Sequence, residues 1–160
     1  MQNFGISLYG LYWNFRRYSG IFESELRGFK ERESFSGQQW NEYQTLKLRA
    51  LLLHAFDTVP LYNEKYKKSG FKRSDFEKFE LEDMQKLPFL EKEELRQFGT
   101  TSLLSGKKEK GGVYYSSSGS TGSPVQILFS RLIHQRVHAA YEARVRNWAG
   151  VDRFMSKGMI

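Results

Sequence analysis

The chain has no cysteine in its 160 residues. That excludes a disulfide scaffold and any thiolate metal site, and it fits a cytoplasmic protein. Proline is nearly as scarce, with Pro60, Pro88 and Pro124 the three examples. Apolar residues nowhere run on for the 18 or so positions that a spanning helix needs, so no membrane span is expected. The first residues lack the basic n-region and small-residue cleavage site of a secretory signal. Internal repeats and low-complexity tracts are absent too. Acidic residues thin out toward the end: residues 1–112 carry 19 Lys and Arg against 16 Asp and Glu, whereas residues 113–160 carry 6 against 2. More than half of the net charge of +7 therefore sits in the last third, which suits an anionic ligand and equally suits a solvated basic surface. A hydrophobic content of 39% and an aromatic content of 16% describe a globular chain. Its length is that of one ordinary domain.

Local signals divide the chain. Residues 1–35 are aromatic-rich, interrupted by Gly5, Gly10, Gly20 and Gly28, and read as one or two short helices. Ser36 and Gly37 punctuate, and a long helix is expected over 38–57, with Trp40, Tyr43, Leu46, Ala50, Leu53 and Ala55 near helical spacing. Pro60 ends it by pushing the preceding residue out of the α region. A short helix over 61–69 stops at Gly70, a helical turn over 81–86 is closed by Pro88, and another short helix covers 91–98. Ser74 and Ser102 read as turn or capping residues. Residues 104–112, with Lys107, Lys108, Lys110 and three glycines, read as an exposed loop. Strands are expected at 113–115 and 125–129. Ser130 is placed to cap a helix over 131–148, whose apolar stripe is Ile133, Val137, Ala140, Tyr141, Val145 and Trp148, with Gly150 as its stop.

Between those strands, residues 116–122 are all Ser, Thr or Gly. Glycines let a backbone turn tightly and aim N–H groups inward, and hydroxyls add donors for phosphate oxygens. A Ser/Gly stretch is usually a flexible linker. This one is short, flanked by apolar strands, and followed by Pro124 and a helix. It is not a Walker A loop, which ends in Gly-Lys-Ser/Thr, nor a dinucleotide fingerprint, nor the Gly-x-Ser-x-Gly elbow of a hydrolase.

Residues 117–124, Ser-Ser-Gly-Ser-Thr-Gly-Ser-Pro, resemble the phosphate-binding loop of adenylate-forming enzymes, the acyl-CoA synthetase superfamily. That pattern reads Ser/Thr-Ser/Thr-Gly-Ser/Thr-Thr-Gly-x-Pro; its x is often Lys and is Ser123 here, which removes one cation from the phosphates. Three further stretches resemble the phenylacetate–CoA ligase branch and its relatives in capsular polysaccharide clusters: Asp-Thr-Val-Pro-Leu-Tyr at 57–62, Leu-Glu-Asp-Met-Gln-Lys-Leu-Pro at 81–88 and Glu-Lys-Glu-Glu-Leu-Arg at 91–96. The resemblance runs from about Trp40 onward. It implies an α/β fold, α+β at the level of this piece: a mainly helical region over 1–103, then strand, phosphate loop, strand and helix over 104–160, the first part of a large N-terminal domain. It also implies that the mobile C-terminal domain and its catalytic lysine lie beyond residue 160, so the chain is expected to be an N-terminal fragment and inactive alone. A naturally short protein that keeps this sub-fold is the alternative. The implied ligands are ATP with Mg²⁺, a small carboxylic acid, and coenzyme A as co-substrate. The implied binding residues are Ser117, Ser118, Gly119, Ser120, Thr121, Gly122 and Ser123, with Ser118, Ser120 and Thr121 the hydroxyl donors.

Other candidates weigh less. His134 and His138, four apart on the expected helix, share a face and suit a metal, but Gln135 stands where a zinc protease has Glu and no third ligand is in view. They read as boundary residues beside the apolar stripe, and His54 as a lone helix-face residue. Lys92 matches the family's lysine in its element but reads as a structural first-turn residue. Aromatic abundance suits base stacking, yet the helical spacing suits core packing better, so nucleic acid is not the expected partner. The competing class is a non-enzymatic basic module for nucleic acid or another anionic partner.

Overall fold

A computed structural model describes residues 2–106, 110–117 and 124–155. Two compact units emerge, one from residues 36–129 and one from residues 1–35 with 130–160.

The first of these begins with a helix whose start is written locally. Ser36 Oγ accepts from Gln39 N–H, and Gln39 Oε1 accepts from Ser36 N–H at 2.8 Å, a capping box that satisfies two orphan donors. The helix, α3, spans Gly37–Thr58; α1 and α2 precede it in the chain and belong to the other unit. Pro60 occupies the first turn of α4, Pro60–Lys68, where its missing N–H costs nothing. The Leu61 N–H, which has no partner within the helix, donates to Ser102 O at 3.0 Å. Short 3₁₀ turns follow at Arg73–Lys78 and Leu81–Lys86, then α5, Lys92–Phe98. Each repeats one device: the residue before the turn donates its N–H to a carboxylate three positions on. Lys72 N–H reaches Asp75, Glu80 N–H reaches Asp83, and Glu91 N–H reaches Glu94. Glu94 also takes the Lys65 ammonium of α4 at 2.6 Å, and these two donors hold its carboxyl below the usual range.

Aromatic rings fill this core. Leu52, Ala55, Phe56, Tyr66, Phe76 and Phe79 are buried together, with Phe71 and Tyr62 packed against them. Phe76 is fully buried, 4.9 Å from Tyr66 and stacked at 5.5 Å on Phe71, centroid to centroid. Burial, with Tyr62 adding to it, pushes the Tyr66 hydroxyl up to about 12. The face that α3 buries is therefore Leu48, Leu52, Ala55 and Phe56. The expected stripe is corrected at Leu46 and Ala50, which are exposed, whereas Trp40, Tyr43 and Leu53 are half-buried and Ala55 is buried. The reason is facing: Leu46 and Ala50 are each two positions from Leu48 and Leu52, which puts them on the far side of the helix from the cluster.

In the other unit, α1 (Gln2–Tyr18) and α2 (Phe22–Glu31) pack against α6 (Arg131–Tyr141), which runs on into a π-helical turn, Glu142–Arg146. Ser130 caps α6, accepting from Ile133 N–H at 3.1 Å. The expected stripe of α6 is corrected as well. Ile133, Val137, Tyr141, Val145 and Trp148 are exposed, and the buried face is His134, Gln135, Ala139, Glu142 and Ala143. Polar groups can be buried there because each meets a partner. Gln135 Oε1 accepts from Ile21 N–H and its amide donates to Ser19 Oγ. Glu142 accepts from Arg146 and from the Arg153 N–H, both at 2.7 Å. Gly20 makes the first arrangement possible: its φ is +59°, and a Cβ there would lie 2.7 Å from Gln135 Oε1. No helix among the described residues is long and apolar enough to cross a membrane.

Candidate functional site

The Ser/Gly stretch rises from a β-hairpin. Strand β1, Val113–Ser116, pairs antiparallel with β2, Gln126–Phe129, in the register Val113–Phe129, Tyr114–Leu128, Tyr115–Ile127 and Ser116–Gln126. Aromatic and β-branched residues favour such a pleated pair. Side chains alternate between faces, so Val113, Tyr115, Ile127 and Phe129 share one face. Tyr115 and Phe129 meet there edge to face at 5.1 Å, the geometry ring quadrupoles prefer. The strands fall within a residue of the expected ones: β1 extends to Ser116, and β2 opens at Gln126 rather than Val125.

Beyond Ser116 and Gln126 one more rung forms. Ser117 N–H donates to Val125 O at 2.9 Å, and Val125 N–H donates to Ser117 Oγ at 3.0 Å. Val125 is buried, and Pro124 beside it is exposed. Of the seven expected binding residues, Ser117 is thus fixed at the root of the loop. Ser118, Gly119, Ser120, Thr121, Gly122 and Ser123 lie outside the described residues, as do Lys107 and Lys108. Two residues of this region were not expected as site residues and matter to it. Val125 supplies both partners of Ser117. Gly99, at the end of α5, abuts β2: a Cβ at that position would sit 3.2 Å from Gln126 O. A glycine directly after a helix was the signal for the second. For Val125 the signal was its position next to Pro124, opposite Ser117 once register is known.

The electrostatics are simple. No charged residue occurs between Lys110 and Arg131, so no carboxylate near the loop in sequence opposes an anion. The basic residues of the last third are mostly engaged. Arg131 donates to Ser19 Oγ, Arg136 pairs with Glu25, Arg144 with Glu33 and the Phe29 carbonyl, and Arg146 with Glu142 and Tyr18. They are cross-links within their unit rather than a bare basic face.

Of the histidine pair, His134 is corrected from a surface or boundary residue to a buried one, whereas His138 is half-buried, at the boundary as expected. The His134 ring meets Trp13 at 6.0 Å, and the His138 ring meets Tyr18 at 5.7 Å. Burial, then Arg17, His134 and Arg146, lowers His138 to about 4; burial, Arg16 and Arg17 lower His134. Among the described residues no group of three or more His, Asp or Glu is placed to hold a metal. Lys92 stands exposed in the first turn of α5.

No family model matches the chain. Individual proteins do. The chain is 30% identical over 99 residues to the phenylacetate–coenzyme A ligase of Escherichia coli (strain K12) and 31% identical over 99 residues to that of Pseudomonas putida. It is 26% identical over 101 residues to that of Thermus thermophilus. These matches cover 62–63% of this chain and 22% of each relative, so the chain spans well under a third of the length of the curated relatives it matches. The likeness supports a distant relationship to adenylate-forming acid–coenzyme A ligases.

Proposed function

We propose that this chain carries the triphosphate-binding part of an AMP-forming ligase that activates a small carboxylic acid and transfers it to coenzyme A. The likeness to three ligases of one name carries the reading. The strand pair supports it, because β1 and β2 flank the Ser/Gly stretch and Ser117 is held where it begins, and glycine-rich turns lend themselves to anion-binding concavities.

In the proposed reaction the acid's carboxylate oxygen attacks the α-phosphorus of ATP. The bond to the bridging oxygen breaks, giving an acyl-adenylate and pyrophosphate. The thiol of coenzyme A then attacks the acyl carbon, forms the thioester and expels AMP. Both steps need positioning and charge stabilisation more than a covalent partner on the protein. The loop's task is to hold the β- and γ-phosphates in line with the attack and to release them as pyrophosphate. Ser118, Ser120 and Thr121 donate hydroxyls, Gly119 and Gly122 let the backbone close in, and Ser123 completes the loop before Pro124. Magnesium enters with ATP, held by phosphate oxygens and water. In this reading the loop's contribution is binding, and no residue of the chain is assigned the ribose-binding, metal-linked or lysine roles. Aryl acids such as phenylacetate are the reference substrate, cytoplasmic ATP the energy source.

Titration of the chain with ATP–Mg²⁺, followed by intrinsic fluorescence or calorimetry, tests the reading. Weak binding that is lost in Ser120→Ala and Thr121→Ala is expected. Binding that ignores both changes and collapses steeply with salt would instead identify a basic module, a reading the paired arginines of α6 disfavour. Formation of AMP from acid and ATP by the chain alone would refute its inactivity.

A further inference from the structure

We infer that Ser117 is a positioning residue, a latch that sets where the loop opens. This rests on the phosphate-loop reading for its purpose and on the hairpin's geometry for its existence. In a regular antiparallel pair, every second pair of opposite residues exchanges two backbone bonds, and Ser117 with Val125 stands at such a position. At the last rung, Ser117 gives its N–H to Val125 O in that way, but the returning Val125 N–H goes to the Ser117 hydroxyl oxygen. The side chain takes the place of a ladder acceptor. Strand pairing thereby ends at Ser116 and Gln126 while the loop's two ends stay clamped.

The clamp matters because of what Val125 is. Its residue is 6% exposed, so an N–H deprived of its acceptor there finds little water and costs more than an exposed one. Pro124, just before it, has a fixed φ and no N–H to offer. Val125 is thus the first residue after Pro124 with an N–H to fasten, and the Ser117 Oγ fastens it. Accepting that bond leaves the hydroxyl proton free to donate outward. A side chain with an oxygen one carbon from the backbone is required, which serine and threonine supply and alanine does not.

Amide exchange on the full chain, read by NMR for wild type, Ser117→Ala and Ser117→Thr, tests the latch directly. Ser117→Ala is expected to speed exchange at the Val125 amide about tenfold, the effect of one lost hydrogen bond at a protected site, with the amides of the α3 core unchanged. Ser117→Thr restores protection. Equal protection of Val125 in wild type and Ser117→Ala overturns the inference. The same variants titrated with ATP–Mg²⁺ test its purpose: several-fold weaker binding in Ser117→Ala with recovery in Ser117→Thr is expected, and unchanged affinity in Ser117→Ala with Val125 exchanging freely also overturns it. If wild type binds no ATP–Mg²⁺, the ligase reading fails while the exchange measurement still decides the latch.

Discussion

The two units spend their aromatic residues in opposite ways. Around α3 and α4, Phe56, Tyr66, Phe71, Phe76 and Phe79 turn inward and touch one another. Around α1 and α6, Tyr9, Tyr12, Phe15, Tyr141 and Trp148 are exposed, Phe22 is the one fully buried ring among the described residues of this unit, packed on Tyr18, and Gln135, Arg146 and small alanines join it between the helices. One unit is held by burial, which is non-directional and proportional to area. The other adds to a smaller apolar contact, Phe22 with Ala139 and Ala143 buried, a set of hydrogen bonds and ion pairs that tolerate one geometry. Aromatic content therefore does not by itself locate a core; what matters is whether a second set of rings converges on the first.

The sharpest break of that contrast is at Phe76. Phe76→Ala removes a fully buried ring from the middle of the cluster, and a loss of about 3–5 kcal/mol is expected, read as a lowered denaturant midpoint for the α3 unit. An unchanged midpoint would mean that the cluster is not the core. Gly20→Val is the matching test for the polar unit. It places a β-branched residue at φ +59° and drives its Cβ into the Gln135 amide, so about 2–4 kcal/mol should be lost from strain and the broken Ile21 and Ser19 bonds. Gly70→Val is a useful control: φ is +84°, but nothing lies within 4 Å, so strain acts alone and the loss should be smaller.

How far these features could be read in advance follows from their range. Ser36, Pro60, Gly70 and Ser130 mark helix ends correctly because capping and φ restriction involve neighbours in sequence. The buried face of α6 could not be read that way. Periodicity selects Ile133, Val137 and Tyr141, but burial of Gln135 is decided by Gly20 and Ser19 more than a hundred residues earlier, and burial of Glu142 by the Arg153 N–H. Ser117 is an intermediate case. Its place in a hydroxyl-rich loop is visible from composition, whereas its bond to Val125 depends on cross-strand register, which no local pattern fixes. For Ser118 through Ser123 only the sequence speaks.

Acid should separate the units as well. His138 titrates near 4 rather than 6.5 because it is buried beside Arg17, His134 and Arg146, with the Tyr18 ring against it. The folded form thus binds fewer protons than the unfolded one between those values. The stability this neutral histidine contributes is complete above about pH 6.5, falls as the pH drops toward 4, and levels below it. A fully sheltered ring would account for about 3 kcal/mol; one partly open to solvent should give about 1–2. Denaturation profiles from pH 7 to 4 should show this slope in the α1–α6 unit, and His138→Gln should flatten it. A slope that survives the substitution would place the effect elsewhere.

The smallest effect is expected where the apolar surface is largest. Leu8, Leu11, Tyr12 and Phe15 recur at helical spacing on α1, and all are exposed. If this face of α1 is open to solvent, Leu11→Ser, at a residue 64% exposed, removes little buried area and should change stability by no more than about 0.5 kcal/mol. The measurement is the denaturant midpoint of the α1–α6 unit, compared with Gly20→Val in the same conditions. A loss above 1.5 kcal/mol from Leu11→Ser would mean that this stripe is covered in solution. The contrast between a buried aromatic core and an open aromatic surface would then fail for α1, because both units would rest on apolar burial.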